Sequence, residues 1–433
     1  MIRIAPFGRV LAVAAAASLA LAACSGGEDT AQPAAGTSSA PAASSAPAAA
    51  QGDGTLTIGT LLPSTGSLAF LGPPEFAGVQ LAVKEINEAG GVLGKKVVEI
   101  DTDSGDTSTN IASQSVDKLL QQKADVIIGA ASSSVSLSVI DKITGAGVLQ
   151  ISPANTSDQF TTYNDKGLYF RTAPPDVLQG RVLGDLIIAD GNDTVGILAL
   201  QDAYGTGLAD NTQKAVEAGG GQVVEKVIYD PKAAEYSADV AKIKAANPKA
   251  IALIGFDETK KIIPELVKQG LTTDKVKWYL VDGNLSNYGT GNDGFPKGTM
   301  TGAKGTQPGA EAPEEFRKRM LEVDPNLKDW NYGPESYDAA NLVALAAVAA
   351  KSDAPADIAA KLQEVSSGGE KCNDFKSCNE LLSQGKDIDY DGVSGPIEFN
   401  EAGDPSEATI GIFEYNENNE IKNIDYNTGK ISG

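Results

Sequence analysis

From residue 55 onward, short apolar runs alternate with longer stretches in which apolar side chains recur every three or four positions. The short runs lack the in-and-out alternation of a half-solvated strand. They predict strands buried on both faces, and the longer stretches predict amphipathic helices that cover them. "TLTIGTLLP" (residues 55–63) reads as a strand, "PEFAGVQLAVKEINEAGG" (74–91) as a helix ending at glycines, "KKVVEIDTD" as the next strand and "STNIASQSVDKLLQQ" as its helix. "ADVIIGAA" and "SVSLSVIDKITGAG" repeat the unit, and "VLQISPANTS" adds a fourth strand and its loop. The alternation restarts at "RVLGDLIIADG" and continues to "VKWYLVDGN". This pattern predicts an α/β fold in which each sheet is mostly parallel and flanked by helices. The chain beyond residue 55 is longer than the roughly 250–300 residues one core holds, so two lobes are expected.

The last third breaks the rhythm. Helices are expected over "APEEFRKRMLEV", "PESYDAANLVALAAVAAK" and "APADIAAKLQEV", followed by hairpin-like strands at "GPIEFN", "ATIGIFEYN" and "EIKNIDYN". The alanine-rich run at residues 339–350 is too short to span a bilayer and is flanked by Asp338 and Lys351, so it is expected to be a buried core helix.

The N-terminus follows different rules. Arg3 and Arg9 flank an apolar stretch that ends in "LAAC", the layout of a signal peptide over residues 1–23. A cysteine directly after a small-residue cleavage site resembles the bacterial lipobox, which implies a diacylglyceryl group on Cys24. Such an anchor holds a protein to a membrane without spanning it. Residues 24–54, rich in Ala, Pro and Ser, offer almost no large apolar side chain and are expected to form a tether with a reach of roughly 30 Å.

Composition then narrows the chemistry. The 433 residues include no histidine, which excludes Ser-His-Asp and Cys-His arrangements and any metal site needing imidazole. None of Ser132, Ser133 and Ser134 has a lysine three positions on, so a serine-lysine nucleophile is also missing. The formal net charge is −22, and loss of the leader makes it two units more negative, which argues against a nucleic-acid partner. Cys372 and Cys378 in "KCNDFKSCNELL" are expected to form a local disulfide in an exported chain, with free thiols as the alternative. "DIDYDGVSGPIE" places Asp387, Asp389, Asp391, Gly392 and Glu398 at calcium-loop offsets. Its flanks lack the helix pair such a loop needs, and Pro396 interrupts it, so a turn leading into a hairpin is expected and no metal site is assigned. "GGVLGKK" lacks the glycine and hydroxyl residue of a phosphate loop and reads as a turn.

Several stretches occur in an order that carries a resemblance: "IGTLLPSTGSLAFLGPPEFAGVQLAVKEINEAGGVLGKKV", "GAASSSVSLSV", "ISPANTS", "YFRTAPPD", "DAYGTGLA" and "SGPIEFNEAGD". Together they resemble the substrate-binding lipoproteins of ABC importers for branched-chain amino acids and related amides. The resemblance implies a type I periplasmic-binding fold, with two lobes joined by three crossovers and a ligand between them. Crossovers are expected near Thr172, Lys304 and Ala408. Lobe 1 then comprises residues 55–172 and 305–407, and lobe 2 residues 173–304 and 408–433.

The same resemblance implies a site. Ser133 and Thr156, with the backbone at Ala131 and Ala154, match the residues that hold the α-carboxylate of an amino acid. A helix N-terminus at the carboxyl end of a parallel strand suits an anion. Asp282, ending "WYLVD", matches the family's acidic partner for the ammonium group. Tyr204 matches a tyrosine that closes over the ligand, and Phe256 is a candidate wall. Leu71 stands where related proteins often carry an aromatic, with Phe70 beside it, so leucine, isoleucine, valine, another amino acid or a short amide such as urea all stay open. For Ser132 and Ser134 the ordinary role of capping a helix is expected.

The resulting expectation is a monomeric extracytoplasmic receptor, anchored to the cell membrane, that passes a small ligand to ABC permease subunits without cofactor or covalent chemistry. A ligand-sensing receptor of the same fold is one alternative. A carboxylate-based hydrolase using Asp101 and Asp103 is another.

Overall fold

The computed structural model describes residues 50–290 and 294–431. The expected signal peptide, Cys24 and all but the last residues of the expected tether lie outside the described residues.

The first half begins with β1 (Thr57–Leu62), α1 (Gly72–Glu88), β2 (Val98–Asp103), α2 (Ile111–Gln121), β3 (Val126–Gly129), α3 (Ser133–Gly145), β4 (Leu149–Ser152) and β5 (Tyr169–Arg171). Its strands form one sheet in the order β2-β1-β3-β4-β5, parallel throughout. Every residue of β3 and β4 is buried, as their unbroken apolar runs require of strands covered on both faces. Each fully buried Val, Leu or Ile contributes about 1.5–3 kcal/mol.

The second half continues with α4 (Asp176–Ala189), β6 (Thr194–Leu200), α5 (Ala203–Ala218), β7 (Gln222–Tyr229), α6 (Ser237–Ala246), β8 (Ala250–Ile254), α7 (Thr259–Lys268), β9 (Lys277–Val281) and β10 (Lys304–Pro308). The chain returns to the first half through α8 (Glu314–Val323), α9 (Gly333–Ala350), α10 (Pro355–Val365), β11 (Glu370–Cys372), α11 (Phe375–Ser383), β12 (Ile388–Gly392) and β13 (Gly395–Pro396). It ends in the second half as the hairpin β14 (Glu407–Tyr415) and β15 (Ile421–Lys430). The second sheet runs β15-β14-β10-β9-β8-β6-β7.

One crossing falls later than expected. Lys304 lies inside the second sheet, where β10 pairs in parallel with β9 and antiparallel with β14, so the chain leaves that half only after Pro308. The sequence "KGTQP" has too little apolar character to announce a central strand; its place is earned by pairing on both sides.

The alanine-rich segment is α9, buried continuously over residues 333–347 and packed along α1. Small side chains let the two helices approach closely. A Cβ added at Gly78 of α1 would lie 2.3 Å from the Gly333 carbonyl oxygen. Among the described residues no helix is long and apolar enough to cross a membrane.

Strands β11, β12 and β13 form a small third sheet. Cys372 and Cys378 are joined by a disulfide that ties β11 to α11. The stretch with calcium-loop spacing is the β12–β13 hairpin, in which Asp391 pairs with Pro396. Its carboxylates are engaged otherwise: Lys371 bridges Asp391 at 2.8 Å and Asp389 at 3.4 Å. The turn is held by Asp338 of α9, which accepts the Val393 and Ser394 N–H groups and the Ser394 and Tyr390 hydroxyls. No cluster of three or more potential metal ligands occurs among the described residues.

Candidate ligand-binding site between the two halves

The carboxyl ends of the parallel strands in both sheets converge on one small cavity. From the first half come Leu68 and Leu71 after β1, Ala131, Ser132 and Ser133 after β3, and Ala154 and Thr156 after β4. From the second come Tyr204 at the start of α5, Phe256 after β8, and Asp282 and Gly283 after β9. Tyr332, just before α9, completes the lining. All eight residues singled out from the sequence therefore face one space.

The three consecutive serines divide the work. The Ser132 side chain accepts the Val135 N–H and caps α3. The Ser134 hydroxyl oxygen accepts the Ala203 N–H at 3.0 Å, reaching across to α5 in the other half. The Ser133 hydroxyl oxygen accepts two N–H groups, from Thr156 at 3.3 Å and Ser157 at 3.2 Å. With both lone pairs engaged, its hydrogen is left to donate into the cavity. The first N–H groups of α3 have no intrahelical partner, so a positive helix end and a hydroxyl donor meet at the same wall.

The loop carrying Ala154 and Thr156 is fixed from beneath. Asn155 is fully buried and its amide donates to the Ala130 and Ala131 carbonyls, both at 2.9 Å. Arg171, also fully buried, pairs with Asp404 at 2.6 Å and donates to the Ser157 carbonyl at 2.7 Å and the Asn155 carbonyl at 3.3 Å. This ion pair joins the end of β5 to the segment before β14, where the chain passes between the halves.

Asp282 dominates the opposite wall. Its Oδ1 accepts from the Tyr204 hydroxyl at 2.7 Å and the Gln179 amide at 2.8 Å, and its Oδ2 accepts from the Tyr332 hydroxyl at 2.7 Å. Burial pushes the Asp282 carboxyl above the usual carboxylate range, and the three donors pull it back. Burial, with the charge of Asp282, holds the Tyr204 and Tyr332 phenols well above their ordinary range, so both stay neutral donors. The Tyr204 and Phe256 rings stack with centroids 5.5 Å apart. Gly283 permits this packing, since a Cβ there would meet the Gly255 carbonyl at 2.6 Å and the Phe256 ring at 2.7 Å.

Tyr332, Gln179, Leu68 and Gly283 were not legible as site residues. A signal for Tyr332 existed: "YGP" places an aromatic at a helix start, as "AYG" does for Tyr204. The carboxylates proposed for a hydrolase do other work. Asp103 accepts the Ser64, Thr65 and Gly105 N–H groups, and Asp101 accepts from Thr60 and Gln80.

A donor-rich wall thus faces an acidic wall across a cleft between the two halves. A sequence model described as periplasmic binding protein matches residues 55–408. The chain belongs to the periplasmic binding protein family. It is 26% identical over 371 residues to Leu/Ile/Val-binding protein homolog 3 of Brucella melitensis, covering 84% of this chain and 92% of that one. It is 30% identical over 319 residues to Leu/Ile/Val-binding protein homolog 1 of Brucella abortus, covering 71% and 82%. Its fold matches the crystal structure of a branched-chain amino acid transporter substrate-binding protein from Streptococcus pneumoniae in complex with isoleucine. That match has a TM-score of 0.68 at 22% identity and covers 87% of this chain and all of the other. The two-sheet α/β fold expected from the sequence is the fold of these proteins. A periplasmic binding protein is an extracytoplasmic solute receptor for an ABC permease and not an enzyme.

Proposed function

We propose that this periplasmic binding protein captures a branched-chain amino acid in the cleft and is held to the cell membrane by a lipid on Cys24. The observation that carries the reading is the Ser133 hydroxyl, whose oxygen is saturated by two N–H groups and whose hydrogen is thereby committed to an acceptor in the cavity. Ser133, Thr156 and the backbone at Ala131 and Ala154 hold the α-carboxylate, and Asp282 receives the ammonium. Leu68, Leu71, Tyr204 and Phe256 surround the side chain. An acidic group and aliphatic walls favour leucine, isoleucine or valine over a neutral amide such as urea.

Ligand bound to the first half gains contacts from the second, so binding favours the closed arrangement that the permease recognises. Calorimetric titration of the purified protein with leucine, isoleucine, valine and urea tests this. Saturable binding of at least one of the three amino acids is expected, with urea silent. Binding of urea and none of the amino acids would overturn it.

A further inference from the structure

Asp282 is held unequally by the two halves. Gln179 and Tyr204, both from the second half, donate to Oδ1. The donor to Oδ2 is Tyr332, which precedes α9 of the first half. Yet Tyr332 is only 2% exposed, and its ring belongs to an apolar cluster built mostly of second-half residues, joined by Leu68, Leu71, Ala131 and Ala154 of the first half. Its backbone is also unusual. At φ 58° and ψ 7° it occupies the left-handed region, which a tyrosine adopts rarely and keeps only where its surroundings demand it. Those surroundings are visible: the Tyr332 carbonyl accepts the Ser336 N–H at 3.0 Å and the Ser336 hydroxyl at 2.7 Å, and the Gly333 N–H donates to Trp330 at 3.0 Å. The N-terminus of α9 thus aims a rigid phenol across the cleft.

Other bonds between the halves lie elsewhere in the cleft. Ser134 meets Ala203, Ser157 Oγ meets the Ala203 carbonyl at 3.2 Å, and Asn211 donates to Asp158 at 2.6 Å. The Tyr332–Asp282 bond differs in ending on the carboxylate that faces the ligand cavity.

We propose that Tyr332 is a positioning residue: its hydroxyl latches the two halves together through Asp282 and orients that carboxylate for the ligand's ammonium group. A carboxylate offers about four acceptor positions, and Gln179, Tyr204 and Tyr332 take three. One position on Oδ2 remains for a ligand N–H, so latch and ligand share Asp282 and do not compete. The latch therefore raises the closed population before ligand arrives, and affinity rises with that population. This inference rests on the proposed reading of the cleft for the ligand's identity, but the latch itself is read without ligand.

Tyr332→Phe keeps the ring and removes the hydroxyl. Small-angle scattering of the ligand-free protein is expected to give a larger radius of gyration for Tyr332→Phe than for wild type. Leucine binding by calorimetry is expected to weaken about tenfold to a hundredfold, as for loss of a hydrogen bond to a charged group. Saturated variant and saturated wild type should scatter alike. Gln179→Met, which removes a donor to Asp282 from within one half, is expected to leave the ligand-free radius at its wild-type value. An unchanged ligand-free radius in Tyr332→Phe, tighter leucine binding, or equal expansion in both variants would overturn the latch. Failure of wild type to bind any amino acid, with Tyr332→Phe still expanded, would refute the proposed ligand and leave the latch standing.

Discussion

Replacing Ser133 with alanine separates a ligand-holding hydroxyl from a structural one, because this oxygen does both jobs. On the ligand side, one charge-assisted hydrogen bond to a carboxylate is lost, worth roughly 1.5–3 kcal/mol, or about tenfold to a hundredfold in Kd. On the structural side, the Thr156 and Ser157 N–H groups lose their acceptor. An unpaired buried donor costs about 1–3 kcal/mol. The two bonds are long, at 3.3 and 3.2 Å, which places the combined cost near the low end, about 2 kcal/mol. Ser132→Ala is the control: it removes a helix cap worth about 1 kcal/mol and should leave affinity within about twofold. Calorimetric titration with leucine, paired with urea unfolding of the same preparations, reads both quantities. If Ser133→Ala bound as wild type does while Ser132→Ala lost affinity, the assignment of the hydroxyl would be wrong.

Two further predictions concern stability. Arg171→Met should cost about 3–5 kcal/mol in urea unfolding, because it strands Asp404 as an unpaired buried charge and frees the Ser157 and Asn155 carbonyls; a loss below about 1 kcal/mol would contradict this. Stability should also fall between pH 5 and 8. Burial, with the charge of Asp338, pushes Glu335 up to about 8; burial, with Asp101, pushes Glu99 up to about 8; and burial, with neighbouring charges, pushes Asp125 up to about 7. A carboxyl raised in the folded state adds stability that is full below its unfolded value near 4 and is lost as pH climbs through its folded value, at up to about 1.4 kcal/mol per pH unit for each group. Glu335→Gln should flatten the fall in melting temperature across that window, and a flat wild-type profile would count against the burial of these groups.

Much of this protein is written locally. The apolar runs "VIIG" and "AIALI" suit strands covered on both faces, and parallel pairing of such strands requires a crossover, here a helix, between one strand and the next. Strand ends then follow, and with them the places where Ser133, Thr156, Tyr204, Phe256 and Asp282 stand, because a parallel sheet puts all its binding loops at one edge. The absence of histidine closed off whole classes of chemistry before any fold was considered. What the chain could not reveal is which partners those side chains meet. Nothing near Ser133 signals that Thr156 and Ser157 saturate its oxygen, and nothing near Asp282 points to Gln179 or to Tyr332, fifty positions further on. The place of β10 was hidden for the same reason: "KGTQP" becomes a central strand only because β9 and β14 flank it. Periodicity is a property of neighbours along the chain. Hydrogen-bond saturation and the meeting of two halves are properties of neighbours in space, and only the folded chain brings those together.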